Sequence, residues 1–461
     1  MRTAETDYLV VGAGAMGMAF TDALIDHADV HVTLVDRRHT ASGHWQDAYP
    51  FVQLHQASLF YGVASTVLGT GAIQQQGPEA GLQERAHQPE IEAYYGDVLR
   101  RRFVGSGRVT FLGGCEHRTE GSAHVVTSRV SGESTEVRVR RRVVDAHYLS
   151  PKIPATTPPP FGVADDAHVV AINDLARLET AATDYVIVGS GKTATDGIVW
   201  LVGNGVEPER IVWVRPRDPW MLNRAVVQPD PVVALGLVAD TMEAAAEAET
   251  LDDLFLRLEA AGVMLRVDRE ATPTMARTPT LGAWELDLLR TIERVVRLGH
   301  IRHVTAREIT FAEGSIALAP GALVVHCAAE GLPSPPPMPI WQPELICLQT
   351  ARAGFPCFNA ALLGYVEATR DDDRERNRLC PPNVYSNDRA SWARMQLLGA
   401  QAARTFGAEG DIVEWANRCA LNPARLDASR RDDPAVRAAS ARAAKHMEEG
   451  LAGLATLADE A

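Results

Sequence analysis

Residues 7–38 read DYLVVGAGAMGMAFTDALIDHADVHVTLVDRR, and this stretch decides the fold. Tyr8–Val11 is an apolar strand, Ala15 to about His27 has helical spacing, and Val30–Val35 is a second strand. Gly12, Gly14 and Gly17 stand between strand and helix. The first permits a tight turn, the second lets a pyrophosphate approach the backbone, and the third allows close packing of helix on strand. Asp36 closes the second strand at the spacing of a carboxylate that grips ribose hydroxyls. Strand, helix, strand and acid together specify an adenine dinucleotide site.

A second unit starts at 184, DYVIVGSGKTATDGIVWLVGNGVEPERIVWVRPRDPW. Tyr185–Val188 is a strand, Thr193–Val202 a helix and Ile211–Val214 the next strand. Gly189, Gly191, Lys192 and Thr193 form its candidate coenzyme turn. GSGKT is not a P-loop, because that motif needs a glycine where this chain has Val186. Ala194 replaces the third glycine and is small enough to pack. The second strand ends in Arg215 and Arg217 and not in an acid, which suits a 2′-phosphate and predicts NADPH over NADH.

Two such units suggest FAD in the first and a nicotinamide donor in the second. Proline-rich linkers at 150–162 and 331–339 bracket the central block as two crossings between domains. The expected fold is α/β: two Rossmann-like dinucleotide-binding domains, with the NADPH domain inserted into a discontinuous FAD domain. Residues 1–155 and 331–461 form the FAD domain and C-terminal helices. Residues 156–330 form the NADPH domain, with a helical insertion at about 240–300. Asp433-Pro434 starts an alanine-rich helix, read as a packing or homo-oligomerisation element.

Bulk properties exclude several classes. The 461 residues carry a net charge of −14, a poor match to nucleic acid or anionic membranes. No apolar run approaches a membrane span, and no secretory leader is evident. The six cysteines are scattered without a CxxC pair or a metal-ligand cluster, so no metal is expected and a reducing, cytoplasmic location fits.

The loop after the first unit, SGHWQDAYPFVQLHQAS (42–58), is unusually aromatic. GAGAMG, Asp36, GHWQDAYP and GSGKTA together resemble the class B flavin monooxygenases, which include flavin-containing and Baeyer–Villiger enzymes. The helix QPEIEAYYGDVLRRRF (88–103) agrees with that order of elements. The linker motif FxGxxxHxxxY has a partial counterpart in Phe161, Gly162 and His168, with Ile172 in the aromatic place.

The resemblance implies that Trp45 and Tyr49 wall the isoalloxazine and that His44, His55 and Gln56 are candidate catalytic groups. Gln56 falls near an asparagine that positions oxygen in the flavin-containing enzymes. The implied activity is NADPH-driven oxygenation by a flavin C4a-hydroperoxide, with dioxygen and a small amine, sulfide or ketone as co-substrates. Two alternatives stay open: an NADPH-dependent flavoprotein reductase without oxygen insertion, and a non-catalytic dinucleotide sensor.

Overall fold

In the computed structural model, residues 2–460 are described. The first parallel sheet has Arg2–Val11 at its centre, with Val32–Asp36 and then Val109–Gly113 on one side. On the other side lies the long strand Ser134–Asp145. Its first half pairs antiparallel with Ala123–Ser128, and its end pairs parallel with Leu345–Cys347. The apolar run Tyr8–Val10 is fully buried, as a strand covered on both faces requires. The carboxyl ends of the parallel strands share one edge, so Gly12, Asp36 and His147 gather there.

The second sheet is also parallel and orders Val169–Ala171, Leu323–His326, Tyr185–Val188, Ile211–Val214 and Val295–Val296. All of its strands fall in sequence between Ser134–Asp145 and Leu345–Cys347 of the first sheet, so one α/β unit is inserted into the other. The two proline-rich linkers run side by side, with Lys152 and Gly331 exchanging backbone hydrogen bonds at 2.9 and 3.0 Å.

The segment expected to be a helical insertion starts earlier and is mixed. Asp230 caps helix Pro231–Glu247 by accepting from the Val232 amide at 2.8 Å, with Pro231 in the first turn. Helix Leu251–Ala260 follows, and then Met264–Leu265 and Met275–Leu281 flank Pro219–Asn223 in a three-stranded sheet. Helix Pro434–Lys445 begins at Asp433, whose side chain accepts from the Ala435 amide. It and helix Met447–Ala458 pack on Pro231–Glu247, which gives the alanine-rich tail an intramolecular partner. Among the described residues, no helix is long and apolar enough to cross a membrane, and no cluster of ligating side chains could hold a metal.

Candidate active site

The glycine turn of the first unit is sterically determined. Gly12 has φ +113°, and a Cβ on Gly17 would stand 1.9 Å from the Gly12 carbonyl oxygen. Only glycine at 17 lets helix Ala15–His27 sit this close to its strand. A second loop then closes over the turn. Ser42 takes φ 105°, and a Cβ on Gly43 would lie 2.8 Å from Gly14 Cα. Ser42 Oγ is buried beside this turn with no hydrogen-bond partner among the described residues. A glycine cradle with a waiting hydroxyl is what a dinucleotide phosphate fits.

Asp36 ends its strand in the cavity wall, buried. Its Oδ2 accepts from the Ala13 amide at 2.7 Å and its Oδ1 from the Arg38 amide at 2.8 Å, so one carboxylate fixes both loops at the phosphate end. In the second unit Gly189 has φ +128°, and a Cβ on Gly191 would meet nothing within 4 Å, leaving open space before helix Lys192–Gly203. Gly12, Gly14, Gly189, Gly191 and Thr193 all line one cavity of about 1850 Å³.

The aromatic loop lies between the two turns. Residues Gly43–Asp47 form a short 3-10 helix that presents Trp45, whose indole N–H donates to Tyr61 Oη at 2.7 Å. Tyr49 reaches across to the second unit and donates to Asp196 Oδ2 at 2.7 Å. His44, His55 and Gln56 also line the cavity. Neither the Gln56 amide nor the His55 imidazole hydrogen-bonds to another described residue, so both face the cavity with polar capacity to spare.

Both histidines are neutral. Burial, and then the charge of Arg38, brings His44 down to about 4. Burial, and then Lys192, Arg224 and Arg85, hold His55 well below the usual range. The unfolded chain therefore takes a proton at His44 near pH 6.5 while the folded chain resists it until about 4. Stability is complete above that window and falls as pH drops through it, by at most about 3 kcal/mol for this half-buried group. In urea unfolding at pH 7 and pH 4.5, His44→Asn is expected to lose less stability between the two than wild type. An identical loss contradicts the assignment.

One expected coenzyme contact is corrected. Arg215 turns away from the cavity: its guanidinium stacks 4.5 Å over Trp213, and its Nε lies 2.8 Å from Asp218. Arg217, two residues on, is exposed and lines the cavity, with Arg277 in the same wall. Lys192 lines the cavity with Gly191 and Thr193, at the first position of helix Lys192–Gly203. Its ammonium is buried between Asp196 and Glu285, 2.9 Å from the latter.

Lys192 belongs to a buried ionic chain that the sequence did not reveal. Arg224, 1% exposed, bridges Glu79 and Glu285, lying 2.7 Å from the latter, and donates from Nε to the His55 carbonyl at 3.0 Å. Arg85 holds Glu79 through two hydrogen bonds, at 2.9 and 2.8 Å, and donates to the Leu54 carbonyl at 2.8 Å. Burial would raise the Glu285 carboxyl, yet Lys192 and Arg224 outweigh it and hold it at about 2. The chain fixes the backbone of Leu54 and His55 against the inserted unit. Its members lie far apart in sequence, so no local pattern could have found them.

No protein-family model matches the chain. Uncharacterized protein Rv2000 of Mycobacterium tuberculosis and Uncharacterized protein Mb2023 of Mycobacterium bovis are each 38% identical over 424 residues, spanning 91% of this chain and 78% of theirs. Among solved structures, polycyclic ketone monooxygenase from the thermophilic fungus Thermothelomyces thermophila superposes with TM-score 0.54 at 13% identity, over 98% of this chain and 90% of that one. An open structure of cyclohexanone monooxygenase gives 0.50 at 14% identity, over 79% and 88%. These two establish the fold. The chain belongs to the family of the mycobacterial protein Rv2000, built on the two-unit fold that these monooxygenase structures also have.

Proposed function

We propose that the protein is an FAD-dependent, NADPH-consuming monooxygenase. What supports this reading above all is a single cavity shared by both glycine turns, so that a flavin on Gly12 and Gly14 and a nicotinamide on Gly189 and Gly191 would meet inside it. Bound flavin would supply hydride acceptance and oxygen activation. The chain's own residues bind, orient and exclude water. The Gly12–Gly17 turn and Ser42 would hold the FAD phosphates, while Trp45 and Tyr61 make a fixed aromatic wall. Arg217 is the cation available for a coenzyme phosphate.

Gln56 and neutral His55 separate oxygenation from simple reduction. Their unpaired polar groups, set among apolar walls, suit the placing of an oxygen-bearing group in a site that sheds water. A thiol-disulfide reductase is disfavoured, since the six cysteines include no CxxC pair and five of them are buried. The reaction is read as hydrogen peroxide released per NADPH oxidised. Gln56→Leu should leave NADPH oxidation within a fewfold of wild type and raise peroxide release. If wild type already yields one peroxide per NADPH with every amine, sulfide and ketone offered, the reductase reading replaces this one.

Coenzyme choice tests the second turn separately. Arg217→Ala should weaken NADPH by roughly ten- to a hundredfold, the worth of one charged hydrogen bond, and scarcely change NADH. Equal losses for both coenzymes in KM and binding titrations would remove Arg217 from the site.

A further inference from the structure

The cavity also has an apolar chamber. Helix Pro231–Glu247 contributes Leu237 and Met242, helix Arg389–Phe406 contributes Ala400 and Phe406, and helix Gly410–Arg418 contributes Ile412 and Ala416. Phe60, four residues beyond Gln56, meets Phe355 edge to face at 5.0 Å. That contact joins the Gln56 segment to the wall formed by residues 350–358.

Arg352 stands in this wall. Its guanidinium carbon lies 5.5 Å from the Phe358 ring centroid and 5.8 Å from that of Phe355. One nitrogen, NH1, donates to Asn422 Oδ1 at 3.3 Å. Among the described residues the guanidinium makes no other hydrogen bond and no ion pair, so its Nε–NH2 edge is free. Burial lowers its pKa to about 10, which leaves it charged at neutral pH. Arg404, on the same cavity, is also without an ion pair among the described residues. The carboxylates that line the cavity are Asp36, Asp47, Glu116 and Glu330, and none of them comes from the three helices of the chamber.

A half-buried cation without a counter-ion among apolar walls is costly, and a planar guanidinium with one free edge matches the two oxygens of a carboxylate. The surrounding walls are apolar and would favour a hydrocarbon body by its area removed from water. We propose that the chamber binds a carboxylic acid with an apolar body, its carboxylate on the Nε–NH2 edge of Arg352 and its hydrocarbon among the chamber helices. The place of reaction at the Gln56 end rests on the oxidoreductase reading above. Binding itself does not.

The test is calorimetric titration of the purified protein with decanoate and with decanol, which share a chain and differ in the head group. Wild type is expected to bind decanoate about tenfold or more tighter than decanol. Arg352→Met should weaken decanoate by roughly ten- to a hundredfold and leave decanol nearly unchanged, while Arg352→Lys keeps part of the preference. Equal affinities in wild type, no binding of either compound, or decanoate unaffected by Arg352→Met would each overturn the proposal. Should the methionine variant fail to fold, the wild-type comparison and the lysine variant still decide. Decanoate binding through Arg352 in a protein that never oxidises NADPH would overturn the oxidoreductase reading and leave this site standing.

Discussion

Arg224→Met is expected to lower folding stability by about 3–5 kcal/mol, the range for breaking a buried ion pair from one side. Arg224 is 1% exposed and serves two carboxylates, Glu79 and Glu285, besides donating to the His55 carbonyl. Methionine fills much of the volume and supplies none of those donors. Arg85 still neutralises Glu79 and Lys192 still neutralises Glu285, so the loss should fall toward the lower end. A second change, Glu285→Gln, should recover part of it by removing the carboxylate whose desolvation Arg224 had offset. Urea unfolding midpoints of the three proteins measure this. A single variant as stable as wild type would mean that the ionic chain does not tie the His55 loop to the inserted unit.

The second large effect is expected at the first glycine turn. On Gly17 a Cβ would meet the Gly12 carbonyl at 1.9 Å, a contact that only backbone movement relieves. Overpacking of this kind costs about 1–3 kcal/mol where side chains alone adjust, and more where backbone must shift. Gly17→Ala should therefore weaken flavin by on the order of a hundredfold, corresponding to about 2.8 kcal/mol, and yield largely colourless protein. Gly14→Ala meets only an ordinary protein contact, 3.7 Å from Gly43 Cα, but sets a methyl group in the path by which the pyrophosphate approaches the backbone, so it should also lose flavin while keeping wild-type folding stability. Flavin retained equally in both variants would place the phosphates elsewhere.

The sequence made the dinucleotide units legible because their geometry is local. Glycines at fixed offsets, four-residue apolar strands and one helix between them leave few foldings open. Helix Ala15–His27 and strands Tyr185–Val188 and Ile211–Val214 fall where periodicity puts them. The pair Arg215 and Arg217 marks where local reading ends. Both charges follow the same strand, and the choice between them depends on Asp218 and on Trp213 beneath Arg215. The Lys192 ammonium pairs with Glu285, a residue on a distant helix. The chamber around Arg352 lay beyond sequence reasoning altogether. Each of its helices reads as ordinary packing, and the space between them exists only once all of them are assembled.

On the proposed function, hydride passes between two dinucleotides that meet in one cavity. The most direct test is anaerobic rapid mixing of the purified, flavin-loaded protein with NADPH, following the visible flavin band. A yellow protein is expected, its band bleached by NADPH and more slowly by NADH at equal concentration. Bound flavin that NADPH never reduces, or a protein that takes up no FAD, would contradict it.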